Sequence, residues 1–378
     1  MTKILYGGRF VTPQGVVENK ALLFKEKIIG FIDEKEISNH FGEKICFKGW
    51  VLPGFIDSHI HGAHGRDVME ASAEALEAIS LSLLKRGITS WLPTTFSAPR
   101  EDIEKALKCI RENKDTLRGS RILGAYLEGP FINPDFRGAH PEAYIQKPAL
   151  WVKEYVDILK IVTIAPEMDE AFTFIKQMKD YVKLSIGHSG ADYQTALSAY
   201  DEGVSHITHC FNAMVGFHHR APGVLGAMMN KDFTVEFIAD GVHIHRDLLK
   251  PLMGLKDSKK IILISDAMAG TFLKEGDYYL AGQRVHVKEG HCLLDDGTLA
   301  GSVHSLDKML KTMLESTDFS VETISRMLSE NPARLLGLDD CVGSLQTGLW
   351  ADLVLLNNNF EIEKVFFKGE ATEVERKD

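Results

Sequence analysis

Short apolar or β-branched runs recur along this 378-residue chain, and each leads into a residue of a type that binds metal ions. The phrases concerned are Asp57-Ser58-His59-Ile60-His61-Gly62, Leu127-Glu128-Gly129-Pro130, Ile186-Gly187-His188, Thr208-His209 and Ile264-Ser265-Asp266. In a (β/α)8 barrel the carboxyl ends of all strands meet at one rim, where the loops carry the chemistry. The repeated pattern therefore predicts an α/β chain folded as a (β/α)8 TIM barrel with a metal site at one rim, as in a metal-dependent hydrolase.

The central part of the chain alternates predicted strands and helices. Candidate strands are Phe55–Ile60, Ile88–Leu92, Ile122–Leu127, Ile161–Ile164, Val182–Ile186, His206–Thr208, Val235–Ala239 and Ile261–Ile264. Helical periodicity covers Ala73–Arg86, Asp102–Glu112, Glu170–Lys179, Tyr193–Asp201 and Val321–Leu336. Eight strands that alternate with helices favour a closed parallel barrel over an open sheet.

Both ends of the chain differ from the central part, because they consist of β-rich runs separated by turns. The runs are Lys3–Tyr6, Ala21–Phe24, Lys27–Ile32, Lys44–Phe47, Ala351–Leu356 and Glu363–Phe367. Neither end is long enough to bury a core alone. We therefore expect residues 1–52 and 343–378 to form one small β-sandwich domain beside a catalytic barrel of residues 53–342.

Charge and cysteine content exclude some partners and compartments. The formal net charge is −10 and the sequence pI is about 5.9, which argues against nucleic acid or an anionic membrane as a partner. No apolar run approaches the length of a membrane span. The five cysteines are scattered and form no C-x-x-C pair, which is typical of free thiols in a reducing compartment. We expect a cytoplasmic protein.

Each candidate ligand also has a structural interpretation. Fifteen histidines give roughly 0.6 H-x-H spacings by chance, and the chain has two, His59/His61 and His243/His245. Residues i and i+2 of a strand share a face, so either pair could reach one ion. His188 and His209, taken singly, are better explained as structural histidines. The structural alternative for Asp266 is a helix N-cap. Their occurrence together at successive strand ends is what favours a metal site.

These phrases together resemble the amidohydrolase superfamily, and within it the deacetylases that act on phosphorylated N-acetyl amino sugars. The resemblance covers nearly the whole chain. The phrases that carry it run from Leu52 to Gly62, Leu127 to Phe131, Gly187 to Ser189, Thr208 to Met214, Ala239 to His243, Ser265 to Met268, Leu299 to Ser302, Asn331 to Ala333 and Gly348 to Leu353. The Leu-Glu-Gly-Pro and His-x-x-Asn-Ala-Met phrases are the most specific of these.

The resemblance implies a role for each candidate residue. The metal ligands are Glu128, His188 and His209, with His59 and His61 available for a second ion and Glu128 bridging if two ions bind. The catalytic acid/base is Asp266. The substrate contacts are His243 near the acetamido group, and Asn212, the Ala213 backbone amide, Arg220 and His140 at the sugar and its phosphate.

The resemblance further implies hydrolysis of N-acetyl-D-glucosamine 6-phosphate to D-glucosamine 6-phosphate and acetate, in amino-sugar catabolism and cell-wall sugar recycling. The cofactor would be one or two divalent ions per chain, zinc or iron first, with manganese or cobalt as alternatives. The partners would be a small-molecule substrate and a second copy of the chain in a homodimer, with Arg220 donated across the interface. Two alternatives stay open: an amidohydrolase for a cyclic amide or another N-acyl sugar, and a non-catalytic scaffold with the same barrel.

Overall fold

The structure is a computed structural model that describes residues 1–372, and its amino-terminal segment consists of short strands. They are β1 (Lys3–Tyr6), β2 (Arg9–Thr12), β3 (Gly15–Val17), β4 (Lys20–Phe24), β5 (Ile28–Asp33), β6 (Glu43–Cys46) and β7 (Trp50–Pro53). Four of them form one sheet in the order β5-β4-β1-β6. Strands β7, β2 and β3 belong to a second sheet that the other end of the chain completes.

The central segment alternates strands and helices. Its first half contains β8 (Phe55–Ile60), β9 (Gly62–Ala63), β10 (Arg66–Asp67), α1 (Ala73–Leu84), β11 (Ile88–Thr95), α2 (Arg100–Asn113), β12 (Arg121–Ile122), β13 (Ala125–Leu127) and β14 (Leu159–Ile164). Its second half contains α3 (Ala171–Met178), β15 (Lys183–Ile186), α4 (Tyr193–Glu202), β16 (His206–Ile207), α5 (Gly223–Asn230), β17 (Thr234–Phe237), α6 (Arg246–Met253) and β18 (Ile261–Leu263).

Eight of these strands form the parallel barrel that the sequence predicts. Their order is β8-β11-β13-β14-β15-β16-β17-β18, with β12 beside β11 outside the ring. The ring closes between its first and last strands, where Ile60 pairs with Ala267 and the His61 N–H donates to the Ala267 carbonyl oxygen at 2.8 Å. Every residue of β8 and β11 is buried, as expected for strands covered by helices on one side and by the barrel interior on the other.

Local signals explain where several barrel helices begin and end. The Ser72 side chain accepts from the Ala75 N–H at the start of α1, and the Asp192 side chain accepts from the Thr195 N–H at the start of α4. Helix α4 ends at Gly203, whose φ of 126° is open to glycine and strained for other residues. These local signals fix the ends of α1 and α4 in the alternation of strands and helices.

A small sheet and three helices follow the barrel strands. They are β19 (Gly276–Leu280), β20 (Gln283–Lys288), β21 (His291–Leu293), α7 (Leu306–Ser316), α8 (Val321–Leu328) and α9 (Glu330–Leu335). The sequence predicted a single helix over Val321–Leu336, which is wrong. The ring of Pro332 clashes with the carbonyl of the residue four positions earlier, Leu328, and α8 ends at that residue.

The carboxyl-terminal strands β22 (Leu353–Leu356), β23 (Ile362–Phe367) and β24 (Glu370–Thr372) join the amino-terminal ones in a sheet of order β24-β23-β22-β7-β2-β3. Both chain ends contribute to one apolar core, in which the rings of Phe24 and Phe366 meet edge to face at 5.3 Å. The predicted class, a TIM barrel with a small β-sandwich from both termini, is confirmed. The boundaries 1–52, 53–342 and 343–378 stay predictions, and the last range extends beyond the described residues.

Helices α5, α6 and α7 and the small sheet were not among the predicted elements. Helix α5 contains Gly223 and Gly226, and α6 contains Pro251, which are breaker signals in a sequence. No glycine or proline interrupts α7. None of the helices within residues 1–372 combines the length and the apolar character needed to cross a membrane.

A buried ion pair joins the barrel to the sandwich. Arg121 Nη1 lies 2.7 Å from Asp352 Oδ2, and the two side chains are only 16% and 6% exposed. Asp352 Oδ1 also accepts from the Lys368 N–H at 2.8 Å. Removing one partner leaves a buried charge without compensation. We expect Asp352→Ala to lower the free energy of unfolding by about 3 kcal/mol, as measured by urea denaturation.

An exposed pair supplies the control for this stability prediction. Lys147 and Asp169 are 2.7 Å apart, with side chains 65% and 74% exposed. Asp169→Ala should leave the unfolding midpoint unchanged, because water already solvates both charges. If Asp352→Ala and Asp169→Ala lower the free energy of unfolding equally, burial of the Arg121–Asp352 pair does not determine its contribution to stability.

Candidate active site

Six of the predicted site residues form one buried cluster at the carboxyl-terminal rim of the barrel. They are His59 and His61 at the end of β8, Glu128 after β13, His188 after β15, His209 after β16 and Asp266 after β18. Their exposed fractions lie between 0% and 8%. The barrel thus brings together side chains that are far apart in the sequence.

Glu128 lies at the centre of the cluster, and each of its carboxylate oxygens faces one pair of histidines. Oε1 is 3.1 Å from His188 Nε2 and 2.8 Å from His209 Nε2. Oε2 is 2.9 Å from His61 Nε2 and 3.4 Å from His59 Nε2. A carboxylate placed in this way can bridge two adjacent positive centres.

Hydrogen bonds on the far side of three imidazole rings decide which nitrogen faces Glu128 as an acceptor. The contacts are His61 Nδ1 to the Thr94 carbonyl oxygen at 3.2 Å, His188 Nδ1 to the Phe136 carbonyl oxygen at 2.9 Å, and His59 Nδ1 to Glu236 Oε2 at 3.2 Å. Carbonyl and ionised carboxylate oxygens only accept, so each Nδ1 carries a proton, and when a ring is neutral its Nε2 lone pair faces Glu128. Lone pairs that face a carboxylate repel it unless a proton or a metal ion lies between them.

The histidine nitrogens also have the spacing of ligands on a single ion. His59 Nε2 and His61 Nε2 are 3.3 Å apart, and His188 Nε2 and His209 Nε2 are 3.1 Å apart. Two imidazole nitrogens bound to one tetrahedral ion lie about 3.3 Å from each other. The residues present therefore fit a divalent ion at each histidine pair, with Glu128 shared between the two.

Protons compete with metal ions for these positions. Burial lowers the pKa of His61, but hydrogen bonds to Asp266 and Glu128 outweigh burial and raise the pKa to about 9. Burial raises the pKa of Glu128, but the nearby charge of His59 and hydrogen bonds from three further histidines outweigh it and hold this pKa well below its usual value. A divalent ion must displace the protons, so its binding weakens as the pH falls.

Asp266 is a second carboxylate beside the histidines of β8. Its Oδ1 is 3.3 Å from His61 Nε2 and 3.6 Å from His59 Nε2, and its N–H donates to the His59 carbonyl oxygen at 3.1 Å. Burial raises the pKa of Asp266, but the hydrogen bond from His61 and the charges of both histidines outweigh it and lower the pKa. The carboxylate is therefore ionised and able to accept a proton.

Three residues of the cluster adopt positive φ angles, which side chains with a Cβ rarely do. The values are 48° at His188, 24° at His209 and 50° at Asp266. Such conformations cost free energy and are concentrated at sites where function fixes the backbone. Here they aim each side chain from the end of its strand towards Glu128.

His243 faces the same cavity and is held by a neighbouring carboxylate. Its Nδ1 is 2.8 Å from Asp240 Oδ2, and Asp240 Oδ1 accepts from the His243 and Val242 N–H groups at 2.9 Å. Burial raises the pKa of Asp240, but the hydrogen bond and charge of His243 outweigh it and lower the pKa. The ionised Asp240 holds the ring through Nδ1 and leaves Nε2 of His243 facing the cavity.

His140 is a hydrogen-bond donor rather than a ligand, although its ligand atom lies close enough to those of Glu128 and His188 to share an ion. The Ser97 N–H donates to His140 Nδ1 at 3.2 Å, which places the ring proton on Nε2. Nε2 lies 3.4 Å from Glu128 Oε2. Burial lowers the pKa of His140 to about 3, so the ring is neutral and its Nε2 lone pair is not free for a metal.

The cluster opens into a cavity of about 210 Å³. Its lining includes Asn212, Ala213 and His243. Leu280 and Leu299 also line it and come from the segment between β18 and α7. A small polar molecule with an apolar acyl group suits such a lining.

Arg220 is not part of the cavity lining in the single chain. It lies on an exposed loop with its Nη1 2.8 Å from His219 Nε2. The predicted contact with a phosphate therefore requires a movement of this loop or a second copy of the chain, and stays a prediction.

Sequence reasoning missed Glu236, which contacts His59. The available signal was a single carboxylate inside the otherwise apolar run Val235–Ala239. It also missed Leu280 and Leu299, because no sequence pattern places the segment after β18 over the barrel mouth.

Comparisons with known proteins identify the family of the chain. The sequence model of the amidohydrolase family matches residues 50–372. An N-acetylglucosamine-6-phosphate deacetylase of Bacillus subtilis (strain 168) is 41% identical over 330 residues, which are 84% of this chain and 83% of the relative. An N-acetylgalactosamine-6-phosphate deacetylase of Escherichia coli O157:H7 is 33% identical over 380 residues, which are 98% of this chain and 99% of the relative.

A solved structure has the same fold over its whole length. It is a mutant N-acetyl-D-glucosamine-6-phosphate deacetylase from Mycobacterium smegmatis in complex with N-acetyl-D-glucosamine-6-phosphate. It matches with a TM-score of 0.90 and 26% sequence identity, covering 99% of each chain. These matches confirm the resemblance inferred from the sequence phrases.

Proposed function

Because the chain belongs to the amidohydrolase family, we propose that it hydrolyses the acetamido group of N-acetyl-D-glucosamine 6-phosphate to give D-glucosamine 6-phosphate and acetate. The observation that carries this proposal is the Glu128 cluster, in which two histidine pairs and a second carboxylate, Asp266, face one cavity. An amide is a poor electrophile with a poor leaving group. Its hydrolysis needs charge stabilisation at the carbonyl and a group that moves protons, and the cluster supplies residues for both.

We infer that Glu128, His188 and His209 hold one divalent ion, and that His59 and His61 hold a second one with Glu128 shared. A divalent ion bound there polarises the amide carbonyl and lowers the pKa of a bound water to about 7. Histidine and carboxylate ligands suit zinc or iron, and also manganese or cobalt.

Asp266 and His243 carry out the steps that belong to the protein. The ionised Asp266 accepts a proton from the attacking water as the bond to the acetyl carbon forms. It then donates this proton to the sugar nitrogen as the carbon–nitrogen bond breaks, so the amine leaves neutral. His243, held through Nδ1 by Asp240, lies where its Nε2, once protonated, donates to the carbonyl oxygen while negative charge develops there.

The orientation of one sugar hydroxyl separates the two leading substrates. The Bacillus subtilis relative is named for the glucosamine derivative, whereas the Escherichia coli relative, which matches over nearly its full length, is named for the galactosamine derivative. Initial rates of acetate release from both 6-phosphates decide between them. We expect the higher kcat/KM for N-acetylglucosamine 6-phosphate, and the reverse order would assign the galactosamine derivative instead.

We further propose that the protein is a homodimer in which Arg220 binds the phosphate of the substrate in the neighbouring chain. A charge-assisted contact between arginine and phosphate contributes about 1.5–3 kcal/mol. Arg220→Ala should therefore raise KM for the phosphorylated sugar by about 10-fold to 100-fold. The weak reaction with unphosphorylated N-acetylglucosamine should hardly change. Steady-state kinetics on both substrates measure the effect.

Arg118 offers a matched control, since its side chain is 80% exposed and paired with Glu77 at the other end of the barrel. Arg118→Ala should leave both KM values unchanged. Equal losses on the two substrates in Arg220→Ala would contradict the phosphate contact. Sedimentation velocity tests the assembly separately, because a fully active monomer excludes donation of Arg220 between chains.

A further inference from the structure

Glu236 is a fully buried carboxylate in β17 that reaches behind the metal-binding cluster. We propose that Glu236 is a positioning residue that holds His59 in the orientation needed to bind a divalent ion, and that His206 and the His209 backbone hold Glu236 in turn. This proposal rests on the proposed metal-dependent function. It concerns the ion at His59 and His61, and it makes a prediction about metal binding that does not depend on the substrate.

Glu236 contacts three nitrogens, one from the backbone and two from imidazole rings. Oε2 lies 3.2 Å from His59 Nδ1 and 3.2 Å from the His209 backbone nitrogen, and Oε1 lies 3.1 Å from His206 Nε2. An ionised carboxylate can only accept, so the contact with His59 fixes the proton on Nδ1 and leaves Nε2 for the cluster. Carboxylates that hold ligand histidines in this way orient the ring and make it a stronger donor to the metal.

His206 anchors the other carboxylate oxygen. Its ring is fully buried, and its Nδ1 lies 2.7 Å from Thr234 Oγ1 and 3.1 Å from the Thr234 carbonyl oxygen. Thr234 is the first residue of β17, the strand that carries Glu236. A continuous chain of contacts therefore runs from the barrel wall through His206 and Glu236 to His59.

The four histidines of the cluster differ in what supports them. Main-chain carbonyl oxygens accept from Nδ1 of His61 and His188, so no side-chain substitution can remove those contacts directly. Glu236 contacts His209 only through the backbone, and Nδ1 of His209 has no hydrogen-bond partner in the described residues. Within residues 1–372, His59 is the only one of the four whose Nδ1 contacts another side chain, that of Glu236. Loss of Glu236 should therefore weaken the binding of the ion at His59 and His61 more than the binding of the ion at His188 and His209.

The test is metal binding by the Glu236→Gln variant. Metal-free wild type and variant are titrated with Zn²⁺ against a competing chelator, and bound ions are counted by elemental analysis. We expect the variant to bind the ion at His59 and His61 about 10-fold to 100-fold more weakly, while the ion at His188 and His209 is retained. His206→Gln, which frees the other carboxylate oxygen, should weaken the same ion by a smaller factor.

A double variant and a matched control identify the cause. In a His59→Ala background, Glu236→Gln should cause no further loss of Zn²⁺, since the residue it positions is already gone. Asp352→Asn removes another buried, hydrogen-bonded carboxylate far from the cluster and should leave Zn²⁺ uptake unchanged. Unchanged uptake by Glu236→Gln, or an equal further loss in the His59→Ala background, would overturn the proposal. Neither result bears on whether the wild type deacetylates the sugar phosphate, which is measured separately.

Discussion

Replacing Asp266 with Asn is expected to lower turnover by about 100-fold or more while the metal content stays close to that of the wild type. The amide keeps the size of the side chain but cannot accept the proton of the attacking water. Asp266 lies 3.3 Å or more from the nearest ligand nitrogen and does not share the central position of Glu128, so the ions should remain bound. Steady-state rates of acetate release and elemental analysis of the same sample measure both quantities.

The control for this variant is a surface carboxylate. Asp169→Asn changes a residue whose side chain is 74% exposed and should leave turnover unchanged. Near-normal acetate release by Asp266→Asn would show that Asp266 is not the catalytic acid/base. Loss of metal from the same variant would instead make Asp266 a ligand.

Replacing Glu128 with Ala is expected to remove metal and activity together, with a fall in turnover of roughly 1000-fold or more. The reason is geometric, because one carboxylate serves both histidine pairs at distances of 2.8 to 3.4 Å. His188→Ala and His209→Ala should have the same effect on their ion. His59→Ala and His61→Ala should each prevent binding of the second ion. Partial activity should remain if one ion is enough for catalysis.

Elemental analysis after equilibration with Zn²⁺ distinguishes these variants. Unchanged metal content in the Glu128→Ala or His209→Ala protein would contradict the ligand assignment. If the wild type never binds more than one ion per chain, the proposal of two metal ions is wrong, whereas the proposal of a metal-dependent hydrolase still holds.

The fold could be predicted well from the sequence where the strands are buried on both faces. The run before Asp266 is apolar, and the run before His59 begins with the apolar Phe55 and Ile56. Both runs became barrel strands within one or two residues of the predicted bounds. The helix Val321–Leu336 was predicted as one element because its apolar periodicity continues past Leu328, whereas Pro332 stops it. Periodicity reports which face is buried, and it does not report a steric break.

The candidate site was predictable to the extent that its residues follow strands directly. Glu128, His188 and His209 do so, and the barrel brings them together without further information. Glu236 could not be identified, because it lies within a strand and acts through contacts with histidines from two other strands. Leu280 and Leu299 reach the cavity because the long segment between β18 and α7 folds over the carboxyl-terminal rim of the barrel. No local sequence pattern predicts that arrangement.

Acetate release before and after metal removal shows directly whether the chain is a metal-dependent deacetylase of a phosphorylated amino sugar. The protein is stripped with a chelator, reloaded with Zn²⁺ or Fe²⁺, and assayed at each stage with N-acetylglucosamine 6-phosphate and with N-acetylglucosamine. We expect acetate release from the phosphorylated sugar to disappear on stripping, to return on reloading and to far exceed release from the unphosphorylated sugar. Full activity in the stripped protein, or no acetate from the phosphorylated sugar with the reloaded protein, would contradict this expectation.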